Sequence, residues 1–179
     1  MYFRIIVVCI VLCFSISAFA SDNSENWKNF SDTGAYGLVA VALITPGIKS
    51  DKEGFKQAAF SVASASAIGL FGKTVIDEER PDKTSDDSFP SNHTANSFAA
   101  ATTLYRRYGW QYGVPAYCVA AMVGNGRVEA RRHHWRDVAA GALLGTATGW
   151  YFTDKYDNKT QVNAWLASDG GGLSVSLNW

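Results

Sequence analysis

Two of the three histidines in this 179-residue chain stand close to residues able to activate an imidazole or to hold an anion. His133 and Asp137 are four residues apart, a spacing that places both on one face of a helix, where the carboxylate keeps one ring nitrogen protonated and leaves the other free to attack. On its own such a pair is more commonly a surface contact worth a few tenths of a kcal/mol. Here it has company: Lys73 with Arg80-Pro81, then Pro90-Ser91-Asn92-His93, then Gly126-Arg127. Lys73, Arg80 and Arg127 supply fixed positive charge, and the Ser91 hydroxyl and the backbone near Asn92 add donors, a set suited to the equatorial oxygens of a phosphate. Phosphoryl transfer needs chiefly positioning and charge stabilisation, so this cradle with His133 as in-line nucleophile and His93 as acid for the departing alkoxide is a sufficient catalyst.

Side-chain cations make a metal unnecessary. A metal site built on His93, His133 and His134 is disfavoured, because adjacent histidines diverge by about 100° on a helix and no cysteine assists. The only anion expected in the site is phosphate, or vanadate in its place. Arg106, Arg107, Arg131 and Arg132 read as solvated or snorkelling side chains, and Trp135 as packing.

The elements that must position these groups look helical. Apolar stretches at Tyr36 to Thr45, Gly54 to Val75, Thr94 to Tyr108, Val114 to Val123 and Trp135 to Phe152 predict helices, and the charged segment from Asp77 to Ser91, with Pro81 and Pro90, predicts a loop across the end of a bundle. Gly141, Gly145 and Gly149 make a stripe that admits a closely packed neighbour. Leu173, Val175, Leu177 and Trp179 alternate with small or polar residues after Asp169-Gly170-Gly171-Gly172, which predicts a C-terminal hairpin. The fold class expected is all-α, a bundle of about five to six helices with that short hairpin appended.

At the start, Arg4, the apolar run Ile5 to Phe14 and Ala18-Phe19-Ala20 read as a signal peptide cut after Ala20; the rival reading, an uncleaved anchor, needs a longer apolar run. The chain then divides into a signal peptide (1–20), a flexible polar lead-in (21–34), a helical domain (35–160) and a tail (161–179). Export to the periplasm follows. Balanced charge, 16 Lys+Arg against 16 Asp+Glu, gives no reason to expect a nucleic-acid partner. Cys118 is expected to be buried and structural. No mature stretch reads as a clear membrane span, so a soluble or peripheral domain is expected, with peripheral membrane contact left open; the sequence does not fix the oligomeric state.

The three clusters resemble the type 2 phosphatidic acid phosphatase superfamily, which includes bacterial class A acid phosphatases and vanadium haloperoxidases. Its pattern is Lys, six residues, Arg-Pro; Pro-Ser-Gly-His; and Ser-Arg, five residues, His, three residues, Asp. Lys73 and Arg80-Pro81 match the first part, Pro90, Ser91 and His93 the second, and Arg127, His133 and Asp137 the third. Asn92 replaces the motif glycine and Gly126 the motif serine, and the loop between the first two parts is short. The resemblance implies a helical bundle and a metal-free phosphohistidine mechanism on a phosphate monoester, either a lipid phosphate such as phosphatidate or an isoprenyl phosphate, or a small soluble ester. The competing readings are a vanadate-dependent haloperoxidase and a non-catalytic envelope protein that binds through the same anion pocket.

Overall fold

The computed structural model describes residues 24–156, 160–167 and 170–177. Five helices follow one another: α1 Ser24–Ile48, α2 Lys52–Val75, α3 Asn92–Tyr108, α4 Trp110–Glu129 and α5 Trp135–Phe152. An antiparallel hairpin closes the chain, β1 Thr160–Ala167 and β2 Gly170–Leu177, with Thr160 opposite Leu177. The expected helical bundle with a C-terminal hairpin is what the chain forms. The signal-peptide reading and Trp179 lie outside the described residues.

The lead-in expected to be flexible is instead helical from Ser24 onward. Its inward positions are Ser31, Ala35, Leu38 and Ala42, spaced by three or four residues. The first two are small, so the helical period is present in burial but hardly visible as hydrophobicity.

Helix α3 is the centre of the bundle and packs against all four other helices. Residues Ala99 to Thr103 are fully buried, and their small side chains let neighbouring backbones come close. The glycine stripe of α5 fits there. A Cβ at Gly141 would stand 2.5 Å from the Ser91 carbonyl, one at Gly145 would stand 2.0 Å from the Ala95 carbonyl, and one at Gly149 would meet Thr102. These glycines set the distance between α3, which carries His93, and α5, which carries Asp137.

At the far end of the bundle, Arg107 is buried and forms a bidentate pair with Asp51, whose carboxylate also accepts from Gly54 N and Tyr108 Oη. The solvated reading of Arg107 is therefore corrected: its planar fork joins the α1–α2 turn to the end of α3. Cys118 is exposed, contrary to expectation, because α4 turns Ala116, Ala120 and Val123 inward and leaves position 118 on the opposite side.

Size is distributed unusually. The core is largely alanine, whereas Ile44, Ile48, Phe55, Phe60, Ile68, Leu70, Phe71, Leu143, Trp150 and Tyr151 are exposed. Against the expectation that no mature stretch is a clear span, α2 is long and apolar enough to cross a membrane.

Substitution of Gly145 by Ala is expected to lower stability by about 3 kcal/mol, because a backbone carbonyl cannot swing aside as a side chain can. Gly37→Ala, in α1 with nothing within 4 Å of the new methyl, should leave stability unchanged or raise it by about 0.5 kcal/mol. Thermal unfolding of the two variants in the same detergent checks the contrast.

Candidate active site

The residues singled out by type and spacing meet at one end of the bundle. Lys73 comes from the last turn of α2 and Arg80 from the following loop. Ser91, Asn92 and His93 open α3, Arg127 lies in the last turn of α4, and His133 and Asp137 flank the start of α5.

The loop from Asp77 to Ser91 is folded back on itself as a narrow ribbon. Glu78 N donates to the Asp86 carbonyl at 3.0 Å, Arg80 N to Ser85 at 2.9 Å and Ser88 N to Glu78 at 2.9 Å. Asp82 fastens it to the α4–α5 turn by accepting from Arg132 at 3.0 Å, while its amide donates to the Arg131 carbonyl. This gives the arginine doublet read as solvated a place in the loop's anchorage.

His133 is buried, 2 % exposed. It precedes α5 in an extended turn, so it does not share a helix face with Asp137 as the four-residue spacing predicts. Its Nδ1 lies 2.7 Å from the Ser88 carbonyl and 3.8 Å from the Asp137 carboxylate. A carbonyl only accepts, so Nδ1 carries the proton and Nε2 keeps its lone pair. Asp137 acts one step back: its Oδ2 accepts from the Ser88 hydroxyl at 2.5 Å and from His134 N at 2.8 Å, fixing both the loop residue that holds the ring and the turn that carries it. Ser88 has no counterpart among the motif residues, and only its place just before Phe89-Pro90 hints at it.

His93 is held from an unexpected direction. Asp32, on α1, places Oδ1 3.1 Å from His93 Nε2 and 2.5 Å from Arg127 Nη1, joining the second and third clusters. Beside it, Ser31 Oγ accepts from Arg127 Nη1 at 3.3 Å. A Cβ at Gly126 would be 3.1 Å from the Ser31 Cβ. Glycine at position 126 thus lets α1 come close enough for Ser31 to reach Arg127, while the Ser31 hydroxyl donates to the Lys28 carbonyl at 2.9 Å. Neither residue was legible as chemical within a segment that reads as a polar lead-in.

Asp87 balances the other two cations. Arg80 Nη2 donates to its Oδ2 at 2.9 Å, and Lys73 Nζ donates to its backbone carbonyl and lies 3.8 Å from its carboxylate. Burial alone raises the Asp87 pKa, but Ser85, Arg80 and Lys73 together hold it below the usual carboxylate value. Ser91 is buried, its hydroxyl bonded to Thr94 Oγ1 at 2.9 Å, and its position at the α3 N-cap aims the first amides of that helix into the site. Asn92 packs against Gly69 of α2, with its Oδ1 buried and unpaired. The buried Nε of Arg127 also lacks a partner.

Burial, then the charges of Arg127 and Lys73, push the His133 pKa down to about 3, with the Ser88 carbonyl opposing. Burial and Arg127 bring His93 to about 4, and the Asp32 carboxylate opposes that fall. Lys73, Arg80 and Arg127 lower the proton affinity of both rings, and Asp32 bridges His93 to Arg127. At neutral pH His133 is uncharged, with Lys73, Arg80 and Arg127 close enough to lower its proton affinity. A phosphate arriving beside these cations brings negative charge, which restores proton affinity to His93.

The family model of the PAP2 superfamily matches residues 54–161. The chain is 32% identical over 148 residues to "Lipid A 4'-phosphatase" of Helicobacter pylori, covering 79% of this chain and 70% of that protein. It is 42% identical over 82 residues to "Lipid A 1-phosphatase" of Porphyromonas gingivalis, covering 44% of this chain but only 18% of that longer protein. The crystal structure of Aquifex aeolicus LpxE superposes with a TM-score of 0.62 at 24% identity, covering 72% of this chain and 84% of that one. The span of the family match and the extent of shared sequence agree with the residue pattern: this chain belongs to the PAP2 superfamily.

Proposed function

We propose that this protein is a metal-independent lipid phosphate phosphatase, a phosphoric monoester hydrolase that works through a phosphohistidine on His133. The observation that carries the reading is the buried His133, its Nδ1 proton donated to the Ser88 carbonyl, which leaves Nε2 with its lone pair, and Lys73, Arg80 and Arg127 near enough to help lower its pKa to about 3. In the first step Nε2 attacks phosphorus in line, the P–N bond forms as the ester P–O bond breaks, and the leaving alkoxide takes the proton of His93. In the second step neutral His93 accepts a proton from water as its oxygen attacks phosphorus, the P–N bond breaks, and inorganic phosphate leaves. Lys73, Arg80, Arg127 and the α3 amides hold the equatorial oxygens throughout, so charge stabilisation comes from the chain itself.

A lipid substrate is supported by the distribution of side-chain size. Alanine inside and large apolar groups outside is how helices pack in a bilayer, where close approach of backbones, not burial of large side chains, drives association. The exposed face of α2, including Phe60, Ile68 and Phe71, seats the bundle in lipid. The apolar run Ile5 to Phe14 followed by Ala18-Phe19-Ala20 supports export, with the catalytic end outside the cytoplasmic membrane. The names of the relatives above point to the same substrate class.

With chelator present throughout, the wild-type rate on a phosphate ester should be unchanged, and His133→Ala should lower kcat by at least about 10³-fold while thermal unfolding stays as in the wild type. Turnover by His133→Ala, or loss of wild-type turnover in EDTA, contradicts the mechanism. The pH profile should favour acid, because the nucleophile stays neutral down to about 3 and the acid must remain protonated. Asp32→Asn removes a carboxylate that favours the His93 imidazolium, so the alkaline limb of kcat should move to lower pH by about one unit. A purely structural role for Asp32 predicts a lower rate with no movement of that limb.

A further inference from the structure

The end of the bundle away from the catalytic groups carries a second concentration of positive charge. A cleft of about 270 Å³ opens there, where the α1–α2 turn, the α3–α4 junction and the segment after α5 meet. Its floor is fixed, because Arg107 is held by Asp51, by Gln57 Oε1 at 3.0 Å and by the Asp154 carbonyl at 3.1 Å. Lys49, Arg106 and Lys155 line the cleft above it.

None of these three cations has a carboxylate partner among the described residues. Lys49, half-buried, lies over the rings of Tyr108 and Tyr112, with Nζ 5.4 and 5.1 Å from their centroids. Arg106 lies over the Trp150 ring and donates to its carbonyl at 2.6 Å. Ring faces and a carbonyl hold a cation in place without cancelling its charge. The nearby acids do not cancel it either. Both oxygens of Asp51 are taken by Arg107, Gly54 and Tyr108, and Glu53 pairs with Lys56. Asp154 makes no ion pair among the described residues, and α4 begins beside Gly109 with no acidic residue in its first turn.

We propose that this cleft binds the phosphate of an anionic phospholipid in the leaflet opposite the catalytic end. The proposal rests on the reading of α2 as a membrane span and on no step of the phosphatase chemistry. Asp51, which holds the cleft floor, directly precedes α2, and Lys73 of the cradle stands in its last turn. The 24 residues of that helix rise about 36 Å, against roughly 30 Å of hydrocarbon, so a helix with the cradle at one membrane face puts the cleft at the other. Apolar surface suited to acyl chains adjoins the cations: Ile48 beside Lys49, Trp110 beside Gly109 and Trp150 under Arg106 are all exposed. Tryptophans so placed are interfacial residues, and a free phosphate has no use for that surface. With the catalytic end outside, the cleft faces the cytoplasmic leaflet, where basic residues are favoured and basic pockets between helices take anionic headgroups.

The test is the affinity of short-chain phosphatidylglycerol for the protein in neutral detergent, read from the rise of the unfolding midpoint with lipid concentration. Lys49→Gln/Lys155→Gln should weaken it about thirtyfold, at roughly fivefold per lysine, and Lys49→Arg/Lys155→Arg should keep it. Lys28→Gln/Lys83→Gln, which removes the same charge away from the cleft, should leave it unchanged. Should the first pair fail to fold, Lys155→Gln alone, at an exposed side chain, should weaken it about fivefold. Phosphatidylcholine and inorganic phosphate should show no dependence on Lys49 or Lys155. An affinity for phosphatidylglycerol unmoved by their loss overturns the site, and equal weakening in the two glutamine pairs does so too, by showing attraction to bulk charge. Inorganic phosphate weakened as strongly as phosphatidylglycerol assigns the cleft to a soluble anion and overturns the lipid. Binding is read without turnover, so a wild type that hydrolyses no phosphate ester overturns the phosphatase reading and leaves these outcomes decisive.

Discussion

The hydrogen bond from His133 Nδ1 to the Ser88 carbonyl is the contact on which the rest of the site depends. A carbonyl acceptor admits one tautomer only, so a single 2.7 Å contact fixes which nitrogen keeps its lone pair and which way the ring faces. Because that carbonyl belongs to a loop, the loop itself must be held. Asp137 does so through the Ser88 hydroxyl and Asp82 through Arg132, while the backbone ribbon closes it internally. The carboxylate of the motif is thus a scaffold for the imidazole's partner, and its electrostatic influence on the ring acts across 3.8 Å without a shared proton.

Gathering Lys73, Arg80 and Arg127 in a partly buried space costs free energy unless countercharge is near. Asp87 serves the first two and Asp32 the third, each from outside the motif clusters. Burial, and then these same cations, make both imidazoles hard to protonate, which under the proposed mechanism suits the nucleophile and disfavours the acid. Asp32 opposes the effect at His93, so the two rings differ in environment in the direction that the proposed division of roles requires. A phosphate exchanging with these carboxylates finds its donors already oriented, which is where electrostatic catalysis gets most of its advantage.

The helices were legible because alanine, glycine and leucine stretches were interrupted by turn residues at the right places, and the glycine stripe of α5 does what its spacing suggests. The catalytic clusters were legible because residue type and spacing together are specific. Asp32 and Ser31 were not, since they act across about ninety-five residues of sequence, from a helix whose buried face is made mostly of small residues. Ser88 was hidden for a different reason: its decisive atom is a backbone oxygen, which every residue possesses. Arg107 looked like half of a solvated doublet because its partner Asp51 is 56 residues away in sequence and becomes a neighbour only when α3 lies beside the α1–α2 turn.

The central claim is that phosphorus is bonded to His133 during turnover. Rapid mixing with a phosphate ester, quenching at alkaline pH where the P–N bond survives, and mass spectrometry of the peptide containing residues 133–137 measure this directly. A single transient phosphoryl group on His133, formed and lost at rates that match turnover, is the predicted result. Turnover with no protein-bound phosphoryl group, or with the group on another residue, would contradict the account.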